Sequence, residues 1–305
     1  MLKQATSIAL FSLGIATLPA LAVEGGRSTT ASGVYDFTPG FGPAPSDDGY
    51  WGMRLNVYSS TKQMNARGKK ADVKLSAKTA SLGFAYMRMT NSQLLGANYG
   101  YAFIAPFMAF DVKVRQDVGN GQVFSAHEKF WNQSDFAIMP IFLQWNIAPN
   151  FGINASLQIQ APTGDYKKTR ITNPGLNIWD FSPALAVTYI TDSGIEFSSA
   201  FNLDFTTRNP ATDYKNGTEY RHEFAVGKHV GDWTIGAAGY YYRQLSDDDS
   251  PNLVEGVRAR GMALGPAISY HGKKMPPIWF HIYKEFGVEN LTEGYASAIR
   301  VAYQF

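Results

Sequence analysis

The chain has 305 residues, 17% of them charged, a formal net charge of +2 and no cysteine. Near neutrality leaves no field for nucleic acid, and the lack of thiols excludes a disulfide framework, a thiolate nucleophile and a thiolate metal site. After the first residues no run of eighteen apolar residues occurs, which excludes a helical spanner, while 14% aromatics and 29 glycines suit strands, tight turns and aromatic belts.

In chain order, residues 1–22 read as a signal peptide. Lys3 is the positive region, Ala5 to Leu18 the short apolar run and Ala20-Leu21-Ala22 the small-residue cleavage site. The exported chain is therefore expected to begin at Val23. Residues 23–49 are irregular, broken by Gly25, Gly26, Gly33, Gly40, Gly42 and Gly49 and by Pro39, Pro43 and Pro45. Two expectations stand side by side: a segment folded into the barrel as a partial plug or gate, and a flexible periplasmic leader.

From residue 50 to 305 the period is two, as in a strand whose faces differ. Met53, Leu55 and Val57 alternate with Arg54, Asn56 and Tyr58. A basic loop is expected from Lys62 to Lys78, a turn near Thr90 to Gln93, a bulge at Pro106, and a long loop from Arg115 to Ser134. Either side of the short turn Ala148-Pro149-Asn150, Met139, Ile141, Leu143, Trp145 and Ile147 make one apolar face, and Phe151, Ile153, Ala155, Leu157 and Ile159 make the next. Opposite the second set lie Asn154, Ser156, Gln158 and Gln160.

Further on, Phe197, Phe201 and Phe205 alternate with Glu196, Ser198, Asn202 and Asp204, acids that would be expensive in a soluble core. Arg221 and Glu223 follow, and Tyr240 and Tyr242 share one face while Tyr241 takes the other. Asp247-Asp248-Asp249 reads as a solvated loop tip. The last strand sets Ile299, Val301, Tyr303 and Phe305 against Ala298, Arg300, Ala302 and Gln304. Its terminal aromatic is similar to the assembly signal at the end of bacterial outer-membrane proteins, carried here by Tyr303 and Phe305. Trp131, Trp179 and Trp233, near strand ends, suit an interface girdle.

The chemistry of enzymes is not legible. His127, His222, His229, His271 and His281 form no HExxH pair, and no phosphate-binding glycine loop occurs. Ser269 and His271 lie two apart on one strand face, but without a GxSxG elbow or a third orienting group.

Several segments resemble the outer-membrane family of the meta pathway of phenol degradation, also called SphA-like. They are Ala161-Pro-Thr-Gly-Asp-Tyr166; Asn177 and Trp179 before Pro183; Tyr214 with Gly217 and Glu219; Gly239-Tyr-Tyr-Tyr-Arg-Gln-Leu245 with acids after it; Leu264-Gly-Pro266 with Tyr270; and Phe305. Asn216 and Ser250 depart from the pattern, at loop positions that bear on solute choice. The resemblance implies a transporter-like barrel that passes hydrophobic or aromatic compounds.

The expectation is an all-β, transmembrane antiparallel β-barrel of about twelve strands (50–305) with an irregular N-terminal segment, monomeric, in the bacterial outer membrane. Its partners would be membrane lipid and lipopolysaccharide, the barrel-assembly machinery and a small apolar or aromatic solute, with no nucleic acid, cofactor, metal or catalytic residue. Expected lumen residues are Arg54, Asn154, Gln158, Gln160, Glu196, Asn202, Asp204, Arg221, Glu223, Tyr240, Tyr242 and Arg300. The function implied is passive uptake. The alternatives are a structural or adhesive barrel with a closed lumen, and a hydrolase at the rim using Ser269 and His271.

Overall fold

The computed structural model describes residues 23–251, 253 and 257–304. The expected signal peptide 1–22 and the terminal Phe305 lie outside the described residues. Among the described residues, thirteen strands make one antiparallel sheet: β1 (Tyr50–Gln63), β2 (Lys74–Leu94), β3 (Ala97–Gly119), β4 (Gln122–Gln133), β5 (Ala137–Ala148), β6 (Phe151–Gln160), β7 (Asp180–Ile190), β8 (Ile195–Thr206), β9 (Glu219–Val230), β10 (Trp233–Gln244), β11 (Arg260–Tyr270), β12 (Ile278–Glu289) and β13 (Thr292–Gln304). β1 pairs with both β2 and β13, and β3 with both β2 and β5, so the sheet closes. Twelve strands form the ring, and β4 is the strand outside it.

What lies on each face decides the solvent. Trp51, Met53, Leu55, Val57, Phe197, Phe201 and Phe205 are exposed on the outer face, while Glu196, Asp204, Glu219, Arg221 and Glu223 are buried within. In water such a surface would be one continuous aggregation-prone patch. Against acyl chains it is the stable arrangement, because apolar side chains meet lipid and closure leaves no ring edge without hydrogen bonds.

Five expectations are corrected. The stretch from Arg115 to Ser134 is not a loop: β3 continues to Gly119, and β4 returns beside it with Asp111 opposite Lys129 and Lys113 opposite His127. Alternation of charged with β-branched or aromatic residues permits a strand hydrated on one face, which polarity alone conceals. Likewise β2 begins at Lys74, shortening the basic loop, and the turn to β3 lies at Leu95-Gly96, both at positive φ. Pro106 makes no bulge against β2, where its register runs unbroken. It lies where the other edge of β3 changes partner, from β5 (last pair Ile104–Ala137) to β4 (first pair Phe107–Gln133), so its missing N–H interrupts no ladder there. Finally, the irregularity between Ile138 and Ile141 turns Met139 inward, where it packs with Met89, Ala102 and Phe142.

Candidate functional site

Residues 23–49 run through the barrel as a strap. The segment has no ladder of its own, so its backbone groups must find side-chain partners, and the barrel wall supplies them. From one end to the other, the Thr29 N–H donates to Glu219 Oε2 (3.0 Å), the Thr30 hydroxyl to Asp204 Oδ1 (3.0 Å), the Gly33 and Tyr35 N–H groups to Glu223 (3.0 and 2.6 Å), and the Thr38 N–H to Glu196 (2.6 Å). The Gly40 N–H donates to the Thr188 hydroxyl (2.9 Å).

The carbonyls are matched by donors. Arg221 Nη1 donates to Thr30 O (2.9 Å), Arg54 to Gly33 O (2.7 Å), Arg300 to Val34 O (3.1 Å), Trp279 to Phe37 O (3.2 Å) and Gln144 to Gly40 O (2.8 Å), while the Asn154 amide donates to Pro39 O. Charge is paired as well as hydrogen-bonded. Arg221 lies 2.9 Å from Asp204, and Arg300 binds Asp36 at 3.0 Å while stacking 4.2 Å over Trp279. Phe37 then packs in a buried cluster with Tyr240, Tyr242 and Tyr283.

Close approach fixes the lower half of the strap. A Cβ on Gly40 would run into the Thr188 amide and the Gly152 carbonyl, and one on Gly152 would meet Gly40 O and the Phe41 ring. Gly152→Val is therefore expected to lift residues 38–42 off the wall without disturbing the outer face. The check is limited proteolysis of the detergent-solubilised protein, in which new cleavage should appear between residues 36 and 45.

The strap is bonded to β5–β9, β12 and β13 and also to β1, yet it leaves a cavity of about 480 Å³ beside it. Its walls include Ile104, Met108, Met139 and Ala184, with Tyr58 and Tyr240 at another side. Both phenols donate to Glu285, at 2.9 and 2.5 Å.

Of the twelve residues expected in the lumen, all point inward, but they divide into two groups. Arg54, Asn154, Glu196, Asp204, Arg221, Glu223 and Arg300 are engaged in holding the strap. Gln158, Gln160, Asn202 and Tyr240 face the cavity; Tyr242 also borders it but binds Glu219 (3.0 Å). Asn202 Oδ1 is buried without a hydrogen-bond partner among the described residues. Sequence reasoning missed Asp36, Gln144, Thr188, Glu219 and Trp279. Glu219 was within reach, since Glu219, Arg221 and Glu223 share one strand face at spacing two.

Outside this site, Ser269 and His271 are within hydrogen-bond distance at 3.0 Å, but Ser269 is buried and no carboxylate hydrogen-bonds the imidazole among the described residues. Asp248 is not a solvated tip: it is buried, whereas Asp247 and Asp249 pair with Arg258 and Arg208. Tyr303 is exposed on the outer face of β13.

The family model described as MetA-pathway of phenol degradation matches residues 60–301, most of the chain. The chain belongs to this family. No curated protein matches it. Among solved structures, an outer-membrane channel from Pseudomonas putida F1 is similar over 90% of this chain and 100% of its own, at 15% identity and a TM-score of 0.69. The β-domain of a Bordetella autotransporter is similar over 85% of this chain and 100% of its own, at 10% identity and a TM-score of 0.51. At these identities the likeness establishes the outer-membrane barrel fold for this family member, and the site must speak for function.

Proposed function

We propose that the protein is a monomeric outer-membrane channel for passive entry of small hydrophobic or aromatic compounds, with the strap occluding most of the lumen. One observation carries the reading: the cavity of about 480 Å³ beside the strap exposes a mainly apolar surface, interrupted by polar side chains such as Arg54, Gln158, Gln160, Asn202 and Glu285. Pockets of roughly 300–1,000 Å³, mostly apolar with few convergent polar groups, are the usual form of small-organic sites. The unpartnered Asn202 carbonyl and the Gln158 amide offer such groups, and Tyr58 and Tyr240 offer ring faces. The family's description points to the same class of compound.

The test is uptake of labelled phenol and toluene by a deletion strain carrying wild-type or variant genes. Wild type should restore entry, and Asn202→Leu with Gln158→Leu should change the ratio of phenol to toluene entry several-fold, since a buried unpaired polar group costs about 1–3 kcal/mol. Entry of both compounds at the deletion-strain rate, despite normal barrel levels, would remove the proposal.

A further inference from the structure

At its upper end the strap terminates in a pocket that the transport reading does not use. The Val23 N–H donates to Asp248 Oδ2 at 2.8 Å, and Val23 is fully buried, with 0% of its surface exposed. The same carboxylate receives the Tyr214 hydroxyl (2.6 Å), the Gly217 N–H (2.7 Å) and the Gln244 amide (2.6 Å). All four are neutral donors while Val23 is an internal residue.

That leaves a charge unbalanced. No Lys, Arg or His pairs with Asp248 among the described residues, although its neighbours Asp247 and Asp249 each have an arginine. The surroundings add negative rather than positive charge. Glu24 lies next in the chain and holds Asn209 at 2.7 Å, and burial together with Asp248, Glu24 and Glu219 pushes the Tyr214 phenol well above its ordinary range. Four neutral donors satisfy the lone pairs but supply no counter-charge, and a buried charge is costly unless it is paired as well as hydrogen-bonded, so the pocket suits a cation.

The backbone supplies a second, independent sign. Val23 has φ 63° and ψ 129°, a conformation that a β-branched residue pays for in strain. That strain exists only if a peptide bond precedes Val23. The sequence places a small-residue cleavage site, Ala20-Leu21-Ala22, directly before it. Glu24–Gly26 then form a single 3₁₀ turn, and the Glu24 N–H is held by Asn216 Oδ1 at 3.0 Å, so the chain start is aimed into the pocket.

We propose that the Asp248 pocket is a binding site for the α-ammonium of Val23, created when a signal peptidase hydrolyses the Ala22–Val23 bond. Water is consumed, Ala22 keeps the carboxylate, and Val23 gains a protonated amine that forms a buried ion pair with Asp248. Cleavage releases the φ strain and neutralises the pocket in one step, so processing tightens the hold of the barrel on the strap. Two of the segments noted in the sequence, Tyr214 with Gly217 and the Gly239–Leu245 segment with the acids after it, meet at this one carboxylate.

The inference is independent of the solute and is tested on the full-length protein extracted from outer membranes. N-terminal sequencing should begin at Val23 with a free amine. In the folded protein that amine should react with an α-amine-selective aldehyde near neutral pH at least about a hundredfold more slowly than in Asp248→Asn, the separation expected when one partner of a buried ion pair is removed. A Gly-Ser insertion between Ala22 and Val23 keeps Asp248 and the cleavage site but moves the amine; it should label rapidly and expose the strap to protease. It carries the test if Asp248→Asn fails to assemble. A chain beginning elsewhere than Val23 overturns the proposal. So does a Val23 amine that labels in the wild type as fast as in the insertion variant.

Discussion

Deleting residues 23–48 is expected to leave a folded barrel whose single-channel conductance rises on the order of tenfold, because a twelve-stranded ring freed of its strap has an interior open to water along its length. The ring should survive, since its strands pair with one another around the full circle and the strap contributes no ladder. Boiling should still change gel mobility. The opened lumen should prefer cations: on the wall the strap covered, Glu196, Asp204, Glu219 and Glu223 outnumber Arg54, Arg221 and Arg300. Hydration removes the penalty for these bared acids, which is why deletion should be gentler on the fold than a point change beneath a docked strap. Planar-bilayer recordings with a salt gradient give both conductance and reversal potential. Wild-type conductance in the deleted protein would mean that the strap does not occlude the lumen.

Arg221→Met should have the opposite character, a small change in composition with a large energetic effect. Arg221 is 2% exposed, lies 2.9 Å from Asp204 and 3.8 Å from Glu223, and donates to Thr30 O. Removing one partner of a buried charge cluster costs about 3–5 kcal/mol, because the remaining carboxylates stay buried without a counter-charge. The protein has a way to reduce that cost that a soluble core lacks: it can release the strap and let water reach Asp204 and Glu223. The expected result is therefore frequent opening steps in bilayer recordings and new proteolytic cleavage between residues 26 and 40, with only a modest loss of barrel stability in urea. The double variant Arg221→Met with Asp204→Asn should recover much of the quiet closed behaviour, since the two changes share one interaction. A single variant that records as quietly as wild type would show that the cluster does not hold the strap.

These outcomes depend on features of unequal visibility in the chain. The ion cluster was half visible: Glu196, Asp204, Arg221 and Glu223 stand on the polar side of strands whose other side carries Phe197, Phe201, Phe205 and Val226. Their use was not visible, because a carboxylate on a polar face reads the same whether it meets water or the amides of Gly33 and Tyr35. The β3–β4 hairpin was misread for a related reason. Its charged positions resemble a loop until Asp111 is found opposite Lys129.

The sequence by itself sorted the residues of β1, β6, β8 and β13 into an apolar and a polar face and marked the strap as irregular. The same alternation would serve a soluble sandwich with its apolar face inward, and closure of the ring decided that this face meets lipid. Only the tertiary structure decided what the strap touches. Tyr35 finds Glu223 across 188 residues and Val23 finds Asp248 across 225, and no local pattern encodes such pairs. Strand periodicity is a property of neighbouring residues. The partners of an aperiodic segment are set by closure of the ring, which brings distant carboxylates to where its bare amides run.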